Sequence, residues 1–114
     1  MKRVRADRAT LKTLQAIPGV GEAISRDLRD LGIRSVEELS GRDPDRLYRR
    51  LCELQGAPVD RCMLYVFRCA VYYASEAEHE PALLQWWNWT DARMEAREAR
   101  RQDPSLTVTL RGFT

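Results

Sequence analysis

Residues 17–21 read Ile-Pro-Gly-Val-Gly, and nothing else in the chain restricts its folding as strongly. Apolar positions at helical spacing precede this pentapeptide, Leu11, Leu14 and Ile17. Ile24, Leu28 and Leu31 follow it, again three or four apart, up to a stop at Gly32. The pattern predicts a helix over about 8–17, a tight glycine turn, and a second helix over about 21–31. Pro18 sets φ as the first helix ends, while Gly19 and Gly21 permit positive φ and close approach by another molecule. Their amides fall at the N-terminal end of the second helix, where backbone N–H groups lack intrahelical acceptors and can receive a phosphate oxygen.

On these residues, 14–32 resembles a helix-hairpin-helix motif, the DNA-binding element of many repair proteins. The resemblance implies contact with the sugar-phosphate backbone, without sequence reading, through Pro18, Gly19, Val20, Gly21 and Ala23, with Arg26 supplying charge. The motif often carries a lysine two residues after its second glycine. Here that position is Ala23, preceded by Glu22, so one cation is missing and a repulsive carboxylate is present. Arg26, one turn further on, and the basic N-terminus compensate in part. The same hairpin also serves elsewhere as a plain folding unit or a protein-docking surface, and both alternatives stay open.

The length of 114 residues suits one small domain with a single core. Hydrophobic residues at 44% and charged residues at 32% argue against disorder through most of it. A net charge of +2 excludes a histone-like, uniformly basic protein, yet the charge is uneven. Lys2, Arg3, Arg5, Arg8 and Lys12 stand against Asp7 alone within residues 1–12, a local +4 that attracts phosphate in a salt-dependent way. The basic start has no apolar segment behind it, as a signal peptide would, and no run approaches a membrane span. With three cysteines, an odd number, reduced thiols and a cytoplasmic location are expected.

Further along, Ser35 followed by Glu38 is a capping-box pattern for a short third helix ending at Gly41. Asp43-Pro44 caps a fourth, with Leu47, Leu51 and Leu54 as its apolar stripe and Gly56 as its stop. A fifth is predicted over residues 60–74. The fourth and fifth would form a second, degenerate hairpin: Pro58 has no N–H to donate, and Asp60 places a negative charge where phosphate would sit. The fifth helix is apolar around most of its circumference. Its polar strip of Arg61, Tyr65, Arg68, Tyr72 and Ser75 is read either as a backbone-gripping, base-stacking surface or as a solvated edge.

The expected fold is thus all-α: a five-helix domain over 8–75 with one intact and one degenerate hairpin, after a basic segment at 1–7. A Trp-rich linker and a charged helix occupy 76–102. Trp86, Trp87 and Trp89 are expected to clamp this extension onto the core, with base stacking or partner docking as alternatives. Leu106, Val108 and Leu110 alternate with Thr107, Thr109 and Arg111, a strand pattern without a partner, so 103–114 is read as a strand-like or disordered tail.

No constellation for catalysis or metal binding emerges. Cys52, Cys62, Cys69 and His79 lack a close Cys-x-x-Cys pair, and Cys62 and Cys69 read as buried core thiols, with a metal or redox sensor as a remote option. No phosphate-binding Walker loop, nucleophile elbow or dinucleotide fingerprint is present, and a non-enzyme without cofactor is expected.

Beyond the hairpin, residues 14–91 resemble a small bacterial family labelled pathogenicity locus or mitomycin resistance protein. The match is carried by residues 17–21, 30–37, Leu47-Tyr48, 60–62, 64–73 and Trp86-Trp87-Asn88-Trp89. The family implies a DNA-binding or repair-associated role. The leading expectation is non-specific DNA binding. The alternative is a protein-interaction module docking through the fifth helix, the tryptophans or the tail.

Overall fold

The computed structural model describes residues 2–102, with side chains from Arg8 onward. Among the described residues it is all-α: α1 (Lys2–Leu14), α2 (Glu22–Asp30), α3 (Pro44–Gln55), α4 (Cys62–Ser75) and α5 (Asp91–Gln102). Single turns of 3-10 helix lie at Glu37–Leu39, Pro81–Leu84 and Trp86–Trp89. The strand-like tail predicted for 103–114 lies outside the described residues.

α1 begins at Lys2 instead of residue 8, because the basic segment holds good helix formers and no breaker. It also ends at Leu14, three residues earlier than predicted. The residue before a proline is driven out of the α region, so the approach to Pro18 tightens into short turns, with Ala16 N–H on the Thr13 carbonyl and Ile17 N–H on that of Leu14. α1 then packs on α2 across residues 15–21, and α3 packs on α4 across residues 56–61.

Local signals place most of the ends. The Asp43 carboxylate accepts from the Asp45 amide at 3.0 Å, with Pro44 in the first helical position. Gly56 closes α3 in the left-handed region (φ 67°). The predicted third helix is only one 3-10 turn. Its capping box is displaced by one residue, because Glu38 Oε1 accepts from the amide of Arg34 at 2.7 Å while the Ser35 hydroxyl faces the Glu38 amide at 3.4 Å.

One core joins the elements. Leu14, Ile17, Val20, Leu28, Ile33, Leu39, Leu47, Leu51, Val66, Phe67 and Ala70 are buried together. Each Leu, Ile, Val or Phe among them contributes roughly 1.5–3 kcal/mol by leaving water. α4 lies at the centre, touching α3, the Glu37–Leu39 turn and both 3-10 turns of the Trp-rich segment. Most of its apolar circumference is therefore covered, with Met63, Val71 and Tyr73 left half-buried. Leu54, counted in the apolar stripe of α3, is instead 50% exposed, on the last turn of that helix. Among the described residues no helix is long and apolar enough to cross a membrane.

Candidate nucleic-acid interface

The glycine turn is held from inside. Ile17 and Val20 are buried in the core and Pro18 is half-buried, while Gly19, Gly21 and Ala23 are exposed. The Val20 amide donates to the Ile17 carbonyl at 3.1 Å, so it is occupied by the turn and is not one of the outward donors expected of it. Gly19 adopts φ +83°, a conformation that L side chains rarely take. A Cβ built on it would also meet Trp86 Cδ1 at 3.4 Å. Gly21 differs: it is extended (φ −96°, ψ −165°), has open space around a built Cβ, and occupies the N-cap of α2. No side chain caps that helix. Among the described residues, nothing accepts a hydrogen bond from the Gly19 or Gly21 amide.

Below the turn, the buried Ser25 hydroxyl donates to the Glu22 carbonyl at 2.7 Å and faces Gln15 Nε2 at 3.4 Å, linking the end of α1 to α2. Arg26 is exposed, as expected, but it is engaged: its guanidinium lies 2.7 Å from Glu22 Oε1. Glu22, the carboxylate expected to repel a phosphate, is thus also the one holding the nearby cation. Both groups are solvated, and such an i,i+4 pair is worth about 0.3–0.5 kcal/mol, little enough for a polyanion to displace it.

The second hairpin carries its own anion. Asp60 Oδ1 accepts from the Cys62 amide at 2.8 Å at the start of α4, which holds its carboxyl below the usual range. Tyr48 anchors the same loop by donating its hydroxyl to the Val59 carbonyl. An internal carboxylate thus accepts from an amide at the start of α4.

The polar strip of α4 is engaged within the chain, although Arg61 and Ser75 stay exposed. Arg61 meets Asp91 through two bonds (Nε to Oδ2, 3.0 Å; a terminal nitrogen to Oδ1, 3.1 Å). The Tyr65 hydroxyl donates to Asp91 Oδ2 at 3.1 Å. Arg68, 9% exposed, lies 3.0 Å from Asp91 Oδ1 and donates to the Trp89 carbonyl at 2.9 Å. Tyr72 accepts from the Glu80 amide at 2.8 Å, and Ser75 from the Gly41 amide at 2.9 Å. All five strip residues tie other segments to α4. Asp91 is held down to about 2, chiefly by the Arg61 guanidinium, with Arg68 and Tyr65 adding to it against an opposing contribution from burial.

The tryptophans divide accordingly. Trp86 packs against the core beside Gly19. Trp89 donates its indole N–H to the Leu83 carbonyl at 2.8 Å, leans on Tyr72 (5.3 Å between ring centres) and lies under the Arg97 guanidinium (4.6 Å). Trp87 alone remains 51% exposed, edge-on to Trp86. The clamp read from the sequence is therefore formed by two of the three.

Cys69 is buried, whereas Cys62 is exposed, contrary to expectation, because it sits on the first turn of α4 beyond the core. Hydrogen bonding to Asp60 raises the Cys62 thiol, and burial pushes Cys69 up to about 11, so neither is poised as a thiolate. Seven residues of helix separate them by about 10 Å, beyond the reach of a disulfide. Among the described residues no group of His, Cys, Asp and Glu is placed to hold a metal ion. His79 stacks on Tyr73 (5.0 Å), with its Nε2 2.8 Å from the Tyr73 carbonyl.

Asp91 was missed by sequence reasoning. Its partners lie up to 30 residues away, and an acidic residue opening a helix looks like an ordinary first-turn charge. Nor did any local pattern foretell that Trp86 would cover Gly19.

Comparison with known proteins places these features in a family. Residues 7–95 match the family described as Pathogenicity locus. The chain is similar to the Mitomycin resistance protein McrB of Streptomyces lavendulae, 34% identical over 80 residues that cover 70% of this chain and 72% of the relative. No solved structure matches.

Proposed function

The chain belongs to the Pathogenicity locus family, and from that premise we propose that it binds DNA through the sugar-phosphate backbone, without reading sequence, in a repair- or resistance-associated role. The observation that carries this reading is the uncapped N-terminus of α2: Gly21 is the N-cap, no side chain covers it, and nothing crowds it. Gly19 and Gly21 offer amides, the helix dipole favours an anion there, and the rigid turn beneath is set by Ile17 and Val20. Arg26 turns from Glu22 to the phosphate on binding. Pro18 shapes the approach without donating, and the Ala23 amide in the first turn of α2 adds a further donor.

The name of the Streptomyces relative ties it to mitomycin resistance, which favours a resistance setting for the same DNA contact here. A competing reading, docking of a protein partner, is favoured by one observation, the half-exposed ring of Trp87. Fluorescence anisotropy with labelled duplex, single-stranded and junction DNA, at low and near-physiological salt, tests the two. The DNA reading expects binding that weakens steeply with salt and is lost in Gly21→Asp. Absence of binding to every DNA at low salt overturns it and directs attention to Trp87.

A further inference from the structure

Of the 19 basic residues in the chain, 17 are arginines. Those on α2, α4 and α5 largely have internal partners: Glu22 for Arg26, Asp91 for Arg61 and Arg68, Glu98 for Arg101, and the Asn88 carbonyl for Arg97. α3 is different. Leu47 and Leu51 are buried against the core, with Tyr48 and Cys52 half-buried beside them, and this orientation turns Arg46, Arg49 and Arg50 outward. All three are exposed, at i, i+3 and i+4, so they line one side of the helix. Among the described residues none of them has a hydrogen bond or ion pair. Glu53, one turn on, shares that side and leaves it net positive, and it forms no pair with them. Asp45 lies to the flank, with its carboxylate 3.9 Å from Arg68.

We propose that the α3 ridge of Arg46, Arg49 and Arg50 is a second attachment surface for the sugar-phosphate backbone of duplex DNA, separate from the glycine turn. The inference rests on DNA being the ligand but not on the hairpin being its site. Three unneutralised guanidinium groups on one helix face repel one another and are stabilised by an external polyanion. A planar guanidinium fork matches phosphate oxygens with two parallel bonds, which a lysine ammonium cannot do. Arg46 and Arg50 are offset by about 6 Å along the helix, comparable to the through-space step between neighbouring phosphates of one DNA strand, so with the reach of three guanidinium groups the ridge faces two or three phosphates. The arrangement contains no base-reading element, so it predicts equal affinity for unrelated sequences.

The test uses the full chain and two labelled duplexes of unrelated sequence, with anisotropy titrations from 50 to 200 mM salt. Wild type is compared with a triple Arg46→Gln, Arg49→Gln, Arg50→Gln variant, the triple Lys variant and Gly21→Asp, all checked by circular dichroism melting. The ridge predicts that the Gln variant flattens the slope of log affinity against log salt by about 2–3 and weakens both duplexes alike. The Lys variant keeps most of the slope, because it keeps the charge. An unchanged slope in the Gln variant overturns the ridge. If Gly21→Asp abolishes binding and the Gln variant keeps the wild-type slope, the hairpin stands and the ridge falls; if Gly21→Asp binds as wild type and the Gln variant flattens the slope, the hairpin falls and the ridge stands. Equal affinity for polyglutamate overturns the assignment to DNA, and no binding by wild type overturns both surfaces.

Discussion

Gly21→Asp separates folding from binding more cleanly than any change at Gly19. Position 21 is extended at φ −96°, a conformation open to every L residue, and a built Cβ meets nothing within 4 Å. Asp is among the best N-cap residues and Gly is slightly worse, a difference of a few tenths of a kcal/mol. Replacing a glycine also removes conformational freedom from the unfolded chain, worth about 0.4–1 kcal/mol where the native backbone is compatible. A carboxylate at a helix N-terminus adds a favourable dipole interaction of similar size, which repulsion from the adjacent Glu22 offsets. The net expectation is a stabilisation of about 0.5–1 kcal/mol, or a Tm raised by roughly 2–6 °C. The new side chain would satisfy the amides at the start of α2 from within, as Asp60 does for α4, and would place a negative charge where phosphate is to bind. Circular dichroism melting and DNA anisotropy on the same preparation read both effects. A variant that melts higher and loses salt-dependent DNA binding fits the reasoning. One that melts higher and binds as before refutes the turn as a phosphate site, because it leaves no folding defect to blame. Gly19→Asp lacks this clarity: φ +83° and the nearby Trp86 ring make it destabilising whatever it does to DNA.

Glu22→Gln releases Arg26 and removes a repulsive charge, so DNA binding is expected to tighten severalfold, with a salt slope steeper by about 1, at a stability cost below about 0.5 kcal/mol; anisotropy and melting check both. Asp91→Asn leaves the nine-tenths buried Arg68 without its closest carboxylate and is expected to cost about 1–3 kcal/mol at pH 7 in urea unfolding. Because the folded-state carboxyl titrates at about 2, below its unfolded value near 4, the stabilisation is full above pH 4 and disappears as pH falls toward 2. Wild type and Asn variant should therefore converge in acid, and a difference independent of pH between 7 and 2 contradicts the ionic assignment. Among the tryptophans, Trp89→Ala is expected to cost about 2–4 kcal/mol through its hydrogen bond and ring contacts, and Trp87→Ala no more than about 0.5 kcal/mol; denaturant titration distinguishes them.

Much of the fold was legible from residue order because its signals act over four residues or fewer. Asp43-Pro44 opens α3, Gly56 closes it, and Ile17-Pro18-Gly19-Val20-Gly21 makes the turn into α2, each as the local chemistry requires. Periodicity also showed α4 to be apolar nearly all round, which suits a central helix or one packed on a partner, and the structure puts it against four other elements. Where local signals were weak, element ends shifted: α1 has no breaker to start it at residue 8, and the predicted third helix is too short to be more than one turn.

The site was only half readable. The turn and its open helix end follow from glycine and proline alone. Occupancy of the Val20 amide, pairing of Arg26 with Glu22, and the Trp86 ring over Gly19 depend on geometry that those residues do not encode by themselves. The polar strip of α4 shows the limit most clearly. From spacing alone, Arg61, Tyr65 and Arg68 fit a nucleic-acid grip as well as a solvated edge. Only the chain's return, which brings Asp91 back from up to 30 residues away, makes them a fastening for α5. The sequence by itself determined most of the helical segments, where most of them stop and which helix is apolar nearly all round, because backbone hydrogen bonding, capping and apolar periodicity are short-range. Tertiary structure alone decided which charges are internally neutralised and which face outward, because ion pairing depends on through-space distance, and that distance exists only once the core has closed.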